Sequence, residues 1–511
     1  MASNCRNLLL ICVAGVGLAG CAITAEPLTD AELASAADEN LANVTAEQEP
    51  IRGRVGLFDA MARALKYNLD HKVEVYQAAL RYEELDVARF ELLPDLVAKS
   101  DFARRDNFSA SVTRQVVNGD LGPAGAFQTF NTSQDRSRRN ADIEFSWHVL
   151  DFGLSYVRAR QAADKALVAE EARRKVVNRV IEDVRTAYWR AVTAERLVHR
   201  LRRLESRTRA ALASTRALAS EEQASPVTAL TYERELVEIK RTIQELQRDL
   251  NVAKSQLAAL MNVKPGTHFH LKHPRVSGRG LRLPGKVRDM IWTAMNNRPE
   301  LRDVAYRKRI NVHEAHAALL ELLPGFDLYA GANYDSNSFL LNNDWLSWGA
   351  RASWNVMRVF KYPAKRRVID AQDALLQQRG LAVTMAVITQ VHVSRVRFLH
   401  ARRELSTAQE YFGVQRRLLA KLRSEAASGR ISEQTLIREE MNTLVAEVRR
   451  DIAHSRLQNA YANLFASMGI DPHSEAYSSD SDLKSLSRSL HNLWHRRGRR
   501  TWGARVTALR Q

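Results

Sequence analysis

The chain has 511 residues, and its 76 Lys and Arg against 58 Asp and Glu leave a formal net charge of +18. Its cysteines are Cys5, Cys12 and Cys21, all at the N-terminus, so no disulfide framework can staple a body built from the rest. Few charges cluster outside the C-terminal tail, which argues against a nucleic-acid binder. No Gly-rich phosphate loop, nucleophile elbow or Cys-x-x-Cys pair is present, so neither an enzyme nor a cofactor is expected.

Residues 1–20 read as a signal peptide, with Arg6 as a sparse basic region and Leu8 to Leu18 as an apolar stretch too short to span a bilayer. It ends Leu18-Ala19-Gly20-Cys21, which resembles a bacterial lipobox and makes Cys21 the lipidation candidate; an ordinary signal followed by a chance cysteine is the alternative. Residues 21–53 are rich in Ala, Glu, Asp and Thr, and are expected to form a flexible acidic linker from a lipid anchor to a folded body.

Residues 54–92 look helical, with Leu57, Met61, Ala64 and Leu65 opening an apolar stripe and a break with a fresh cap near 67–71. The helix stops at Glu91-Leu92-Leu93-Pro94, and the same string returns as Glu321-Leu322-Leu323-Pro324. A shift of 230 therefore aligns Tyr76 with Tyr306 and Leu57 with Val287, while a shift of 207 aligns Trp147 with Trp354, Val184 with Val391 and Met261 with Met468. The chain is two copies of one unit, 54–262 and 286–470, separated by a linker at 263–285 and followed by a basic tail at 471–511.

Between the Leu-Leu-Pro strings and the long helices the hydrophobic period falls to two. Ile143, Phe145, Trp147 and Val149 alternate with Asp142, Glu144, Ser146 and His148; Phe326, Leu328, Ala330, Ala332 and Tyr334 alternate with Asp327, Tyr329, Gly331, Asn333 and Asp335. Trp348, Ala350, Ala352, Trp354 and Val356 form a third case, and Leu96 to Phe102 a weaker fourth. This predicts one β-hairpin per copy, at about 95–150 and about 325–357. Alternation of this length with aromatic ends fits transmembrane strands, although a half-buried hairpin has the same period. Four strands cannot close a membrane barrel, so membranous strands would require an oligomer, and three chains would supply twelve.

Ser155–Ala219 contains neither proline nor glycine, and apolar or small residues recur every seven: Val177, Val184, Ala191 and Val198 in one row, Val180, Ala187, Ala194, Leu201, Thr208 and Thr215 in another. That predicts a rod of roughly 100 Å packed lengthwise on other helices. A second rod is expected at about 363–426, with shorter helices at 227–262 and 431–467 after turns at Glu221–Pro226 and Ala427–Ser432.

The combination resembles the TolC-like outer-membrane efflux protein family over residues about 54 to 470. The resemblance rests on the two Leu-Leu-Pro strings, Phe145-Ser146-Trp147-His148-Val149-Leu150-Asp151-Phe152-Gly153, Ala187-Tyr188-Trp189-Arg190-Ala191, Gly429-Arg430-Ile431-Ser432 and Leu464-Phe465-Ala466-Ser467-Met468-Gly469. It implies a mainly α protein with a membrane β-barrel, a homotrimer whose twelve-stranded barrel in outer-membrane lipid continues into a helical periplasmic tunnel. Such a duct conducts substrates passively outward from an inner-membrane transporter and a periplasmic adaptor. The adaptor would meet the turns at Ser225, Pro226, Gly429, Arg430, Ile431 and Ser432. Where the family carries aspartates in the constriction, this chain has Thr435 and Arg438; Arg438 either favours anions there or turns into the seam to pair with Glu439 or Glu440. A non-pore periplasmic adaptor or structural lipoprotein is the competing reading.

Two other groups carry less weight. His268, His270 and His273 are expected in a solvated loop between the copies rather than at a metal, and His491 and His495 belong to the basic tail, read as a disordered end or a membrane-binding segment.

Overall fold

The computed structural model describes residues 27–46, 48–112, 116–118, 120–121, 130–220, 226–264, 266–273, 281–470 and 482–497. The signal peptide, Cys21 and Ser225 lie outside the described residues, as does the chain beyond Arg497.

Each copy opens with two short helices: α2 (Leu57–Tyr67) and α3 (Leu69–Phe90) in the first, α6 (Val287–Asn297) and α7 (Pro299–Leu320) in the second. The expected break is sharp, and its chemistry differs between copies. Asn68 caps α3 by accepting a hydrogen bond from the His71 amide at 3.1 Å, whereas α7 starts with Pro299 at its first turn, after Arg298. In both, the hinge side chain reaches the end of the copy's closing helix: Asn68 Nδ2 donates to the Leu260 carbonyl at 3.2 Å, and Arg298 Nη1 to the Ala466 carbonyl at 2.9 Å. The Leu260 carbonyl at the helix end thereby gains a donor, and the Ala466 carbonyl, which also accepts from the Gly469 amide at 2.9 Å, gains a second.

Strands β2 (Asp95–Arg104) and β7 (Ser137–His148) follow in the first copy, β9 (Gly325–Asp335) and β10 (Asp344–Ser353) in the second. Between β2 and β7 lie the short ladders of β3 (Ala110–Val112) with β6 (Phe130–Thr132), and of β4 (Val116–Val117) with β5 (Asp120–Leu121). The long helices are α4 (Val149–Ser220), 72 residues, and α8 (Met357–Ala427), 71 residues. At 1.5 Å per residue each spans about 110 Å. Helices α5 (Pro226–Leu260) and α9 (Glu433–Ser467) return from the turns. The first residues of the rods begin earlier than their periodicity suggests: Val149 is already helical, and Trp354 and Val356 lie beyond the end of β10.

Both seam rows of α4 are buried, Val198 alone being half-buried. Two of the seam threonines keep their hydroxyls satisfied inside the helix, Thr208 donating to the Leu204 carbonyl and Thr215 to the Ala211 carbonyl, each at 2.8 Å. Small residues and satisfied hydroxyls let neighbouring helices approach closely. Helix α4 is flanked by α3 and α5 of its own copy and by α7 and α9 of the other.

Three expectations are corrected. The linker at 21–53 is not wholly flexible, because Asp30–Asn43 forms helix α1, held by a capping box in which Thr29 and Glu32 bond reciprocally. No residue of α1 is buried, so composition gave no amphipathic signal for it. The segment after it is tied down as Lys66 pairs with Glu49 at 2.9 Å and Arg63 donates to the carbonyls of Glu49 and Pro50. The linker between copies is also not simply a solvated loop: β8 (His270–Leu271) pairs in parallel with β1 (Arg54–Val55), burying Phe269 and Leu271. The tyrosine Tyr188 of α4 locks that ladder, donating to the Lys272 carbonyl at 2.7 Å; burial, then Asp59 and Glu195, push its phenol above its ordinary value.

The basic tail is ordered in part. Helix α10 (Leu483–Arg497) inserts Leu486 and Leu490 into the core around α2 and α4, and Trp494 lies 4.0 Å from the Arg185 guanidinium and 5.4 Å from Tyr461. Leu483, Leu486, Leu490 and Leu493 fall three or four apart, a helical stripe concealed by the surrounding basic residues.

The two copies end alike, at Asn262 with φ +55° and Gly469 with φ +69°. Asn tolerates this left-handed conformation, but a Cβ at 469 would sit 2.5 Å from the Asn297 carbonyl carbon. Gly469→Ala is expected to cost about 2 kcal/mol or more, read as a lowered thermal midpoint, whereas Asn262→Gly should change stability little.

Candidate channel-forming site

The four long strands form one antiparallel sheet in the order β10-β9-β7-β2. The two hairpins are joined by β7 and β9, with Phe145 opposite Ala330 and Trp147 opposite Leu328. On the other side of β7, Leu96 pairs with Phe145; beyond β9, Trp348 pairs with Ala330. The register thus gathers the apolar alternants of all four strands onto one face. That face is turned outward: Trp348 is 85% exposed, Leu346 81% and Leu96 72%.

The opposite face is polar and more sheltered. His148 Nδ1 lies 2.5 Å from Asp327, Asn333 donates to the Ser347 hydroxyl at 2.8 Å, and Arg138 approaches Asp335 at 3.7 Å. An ordinary half-buried hairpin would show the reverse arrangement, apolar in and polar out. Among the described residues neither β2 nor β10 has a second strand neighbour, so both edges of the sheet carry unpaired backbone groups.

Sequence reasoning missed the clasp that joins the hairpin loops. Asn337, 4% exposed, donates through Nδ2 to the Ser133 carbonyl at 3.0 Å and accepts from the Asp135 amide at 3.0 Å; the Ser338 hydroxyl donates to Asp135 at 2.9 Å. Periodicity cannot reveal a contact between two loops about 200 residues apart.

At the other end of the sheet, β2 and β7 meet helices around a cleft of about 760 Å3. It is lined by Leu92, Leu93 and Pro94 of the first corner and Glu321 and Leu322 beside the second, together with Arg158, Arg358, Lys361 and Lys365. Lys365 bridges Glu321 at 2.9 Å and Glu314 at 3.3 Å. The hydrogen bond from Gln161, together with Lys365, holds the Glu314 carboxyl below its ordinary value. Trp354, placed in a strand by its period, instead donates its indole N–H to the Leu322 carbonyl at 3.0 Å and pins the corner.

Exposure along the helices separates inner staves from edges. On α4, Tyr156 is the exposed large apolar side chain among the described residues; on α8, Val368, Leu375, Met385, Val396 and Val414 are all exposed. Helix α3 likewise exposes Leu69, Val73, Tyr76, Leu80, Val87 and Phe90, spaced at three, four or seven residues. Such a heptad stripe is a seam without its partner.

The copies are joined through an ion-pair ladder between α4 and α9. Arg196 pairs with Asp451 and, at 3.5 Å, with Glu447; Arg200 meets Glu447 at 2.5 Å; Arg207 meets Glu440 at 2.5 Å. Arg450 joins Asp451 at 2.7 Å and stacks on Phe412. Burial pushes the Arg196 guanidinium below its ordinary value, with Glu447 pulling it back.

At the turn end, Gly429 takes φ +71° beyond the last turn of α8, and Ser432 caps α9 by accepting from the Thr435 amide at 3.3 Å. The Thr435 hydroxyl lies 3.0 Å from Ser432 Oγ. Arg438 is half exposed, with Glu235 of α5 and Glu439 each at 3.6 Å. Arg430 is exposed, Ile431 half-buried, and Pro226 stands at the first position of α5. The structure therefore gathers Gly429 to Arg438 at one end of the rods. His270 and His273 approach Glu195, at 3.3 and 3.6 Å. Among the described residues no group of three metal-ligating side chains converges.

No protein-family profile matches the chain, and no curated protein matches it by sequence. Solved structures do match. A membrane protein from Pseudomonas aeruginosa aligns with a TM-score of 0.63 and 15% identity, covering 83% of this chain and 92% of that one. The open state of the MtrE outer membrane channel of Neisseria gonorrhoeae gives 0.62 and 15%, covering 81% and 89%. The outer-membrane channel OprN gives 0.61 and 15%, covering 84% and 95%. The chain shares its fold with these outer-membrane channels. Within that class it is the TolC-like arrangement of paired hairpins and long helices that this chain repeats, at an identity low enough that the likeness is one of fold.

Removing one member of the α4–α9 ladder should strand buried carboxylates. Arg196→Met is expected to destabilise by about 3 kcal/mol, with Asp451→Asn in the same chain recovering part of the loss, as measured by a double-mutant cycle of denaturant midpoints.

Proposed function

We propose that the chain is one protomer of a homotrimeric outer-membrane channel in a tripartite efflux or secretion system. The observation that carries this reading is the inside-out sheet: an apolar face turned outward, a polar face within, and both edges open. In lipid each unpaired backbone group would cost several kcal/mol. Joining the β2 edge of one protomer to the β10 edge of the next removes them, and three such joints make a twelve-stranded closed barrel. The same joint brings the exposed heptad stripe of α3 beside that of α8, so strands and helices call for one heterologous, ring-closing interface.

The helices then form a periplasmic tunnel whose turns, with Ser225, Pro226, Gly429, Arg430, Ile431 and Ser432, face an adaptor and an inner-membrane transporter. Solved structures of the same fold are outer-membrane channels, and that of CusC concerns transmembrane channel formation. Acylation at Cys21 would add a tether to the outer membrane. Thr435 and Arg438 are the proposed constriction, where Arg438 competes between the axis and its two carboxylate neighbours.

Two measurements test the reading. The protein purified in detergent should run as a trimer and give discrete conductance steps in planar bilayers; monomers without conductance would leave the non-pore adaptor reading in its place. For the constriction, Arg438→Glu should shift the reversal potential in a salt gradient toward cation selectivity, and an unchanged potential would remove Arg438 from the pore axis.

A further inference from the structure

Toward the turn end, α4, α8 and α9 enclose a groove of about 220 Å3. Its floor is apolar, made by Leu204, Leu419 and Leu444, all buried. Its rim carries four guanidiniums, Arg200, Arg203 and Arg207 from α4 and Arg423 from α8, against the one carboxylate of Glu440. Glu440 is already shared, accepting from Arg207 at 2.5 Å and from Arg423 at 2.8 Å. Arg200 spends one N–H on Glu447 in the seam. Arg203 is exposed and has no hydrogen-bond or ion-pair partner among the described residues. Each guanidinium offers five donors, so most of those on the rim are unspent.

The excess extends beyond the rim. Farther along α4 and α9, Arg196 and Arg450 add positive charge set against Glu447 and Asp451, while Glu433 reaches Arg207 at 3.5 Å. Arg450 registers the imbalance: burial, then Arg196, Arg416 and Arg200, push its guanidinium below the ordinary value despite Glu447. Holding Arg200, Arg203 and Arg207 three or four residues apart on one helix face is repulsive in itself. An anion in the groove would relieve that repulsion and crosslink α4 to α8.

We propose that this groove binds a small anion bearing two or more phosphate or carboxylate groups, held bidentately by Arg203 and by the free donors of Arg207 and Arg423. Guanidinium forks suit both oxyanions, and more than one acidic group is needed to span the two helices. A lipid headgroup is not the source, because Arg203 lies roughly 80 Å along α4 from the sheet at 1.5 Å per residue. The assignment of that anion as cargo, or as a mimic of cargo, rests on the channel reading; the site itself does not.

The test is calorimetric titration of the full-length protein in neutral detergent with inorganic pyrophosphate at low ionic strength, with acetate as the singly charged comparison. Saturable binding of one pyrophosphate per chain is expected, weakened about tenfold or more by Arg203→Gln and unchanged by Arg379→Gln, which removes an exposed charge elsewhere on α8. Arg203→Lys should recover only part of the affinity, since an ammonium lacks the fork. Raising the salt to about 0.5 M should weaken binding through screening. Absence of saturable binding, or equal losses in Arg203→Gln and Arg379→Gln, overturns the site. Conductance of the same wild-type preparation separates the two ideas: conduction without binding removes the anion site alone, and binding without conduction removes the duct alone.

Discussion

Only one of the two long helices has both of its seams buried, and most of this architecture follows from which one it is. Helix α4 receives α3 and α5 from its own copy and α7 and α9 from the other, so both of its small-residue rows are covered. Its counterpart α8 has α7 and α9 on one side and leaves an apolar row uncovered on the other. Helix α3 mirrors that deficit. Duplication therefore produces a wall segment with a finished centre and two unfinished edges, and the sheet above it repeats the pattern strand for strand.

Where the repeats diverge, different residues solve the same problem. The hinge between the short helices is capped by Asn68 in one copy and begun by a proline after Arg298 in the other, yet both side chains reach the closing helix end. The left-handed residue after that helix is Asn262 or Gly469. The second copy has less room there, because Gly469 packs directly on the Asn297–Arg298 backbone. Equivalent geometry with unequal tolerance is what two separately drifting copies of one unit should show.

The α4–α9 ladder has a different character from the apolar seams. Arginines from one copy meet carboxylates from the other at several levels, but the arginines outnumber their partners toward the turns. Buried ion pairs add little net stability, since desolvation offsets much of their attraction. They do specify register, and a surplus of one sign leaves a local potential available to a ligand. The surplus in the groove of Arg203 contrasts with Arg438, whose two carboxylate neighbours, Glu235 and Glu439, offset its charge.

The sequence by itself determined the duplication, the rods, the hairpins and the second turn, because these rest on local period and on strings that recur at a fixed shift; the first turn, at 221–225, lies outside the described residues. Each is a property of neighbours within a few residues, and heptad or two-residue alternation reports it directly. It placed Gly429 and Ser432 in that second turn, while the cap that Ser432 forms on α9 came from the structure. Tertiary structure alone decided that β7 pairs with β9, that the apolar face of the sheet points outward, and that Trp354 pins a corner instead of extending a strand. It placed Leu486 and Leu490 of the tail in the core, clasped Asn337 to Asp135, and brought Arg203 and Arg423 to one groove. Those are contacts between residues far apart in the chain, set by the packing of whole elements, and no local pattern encodes them.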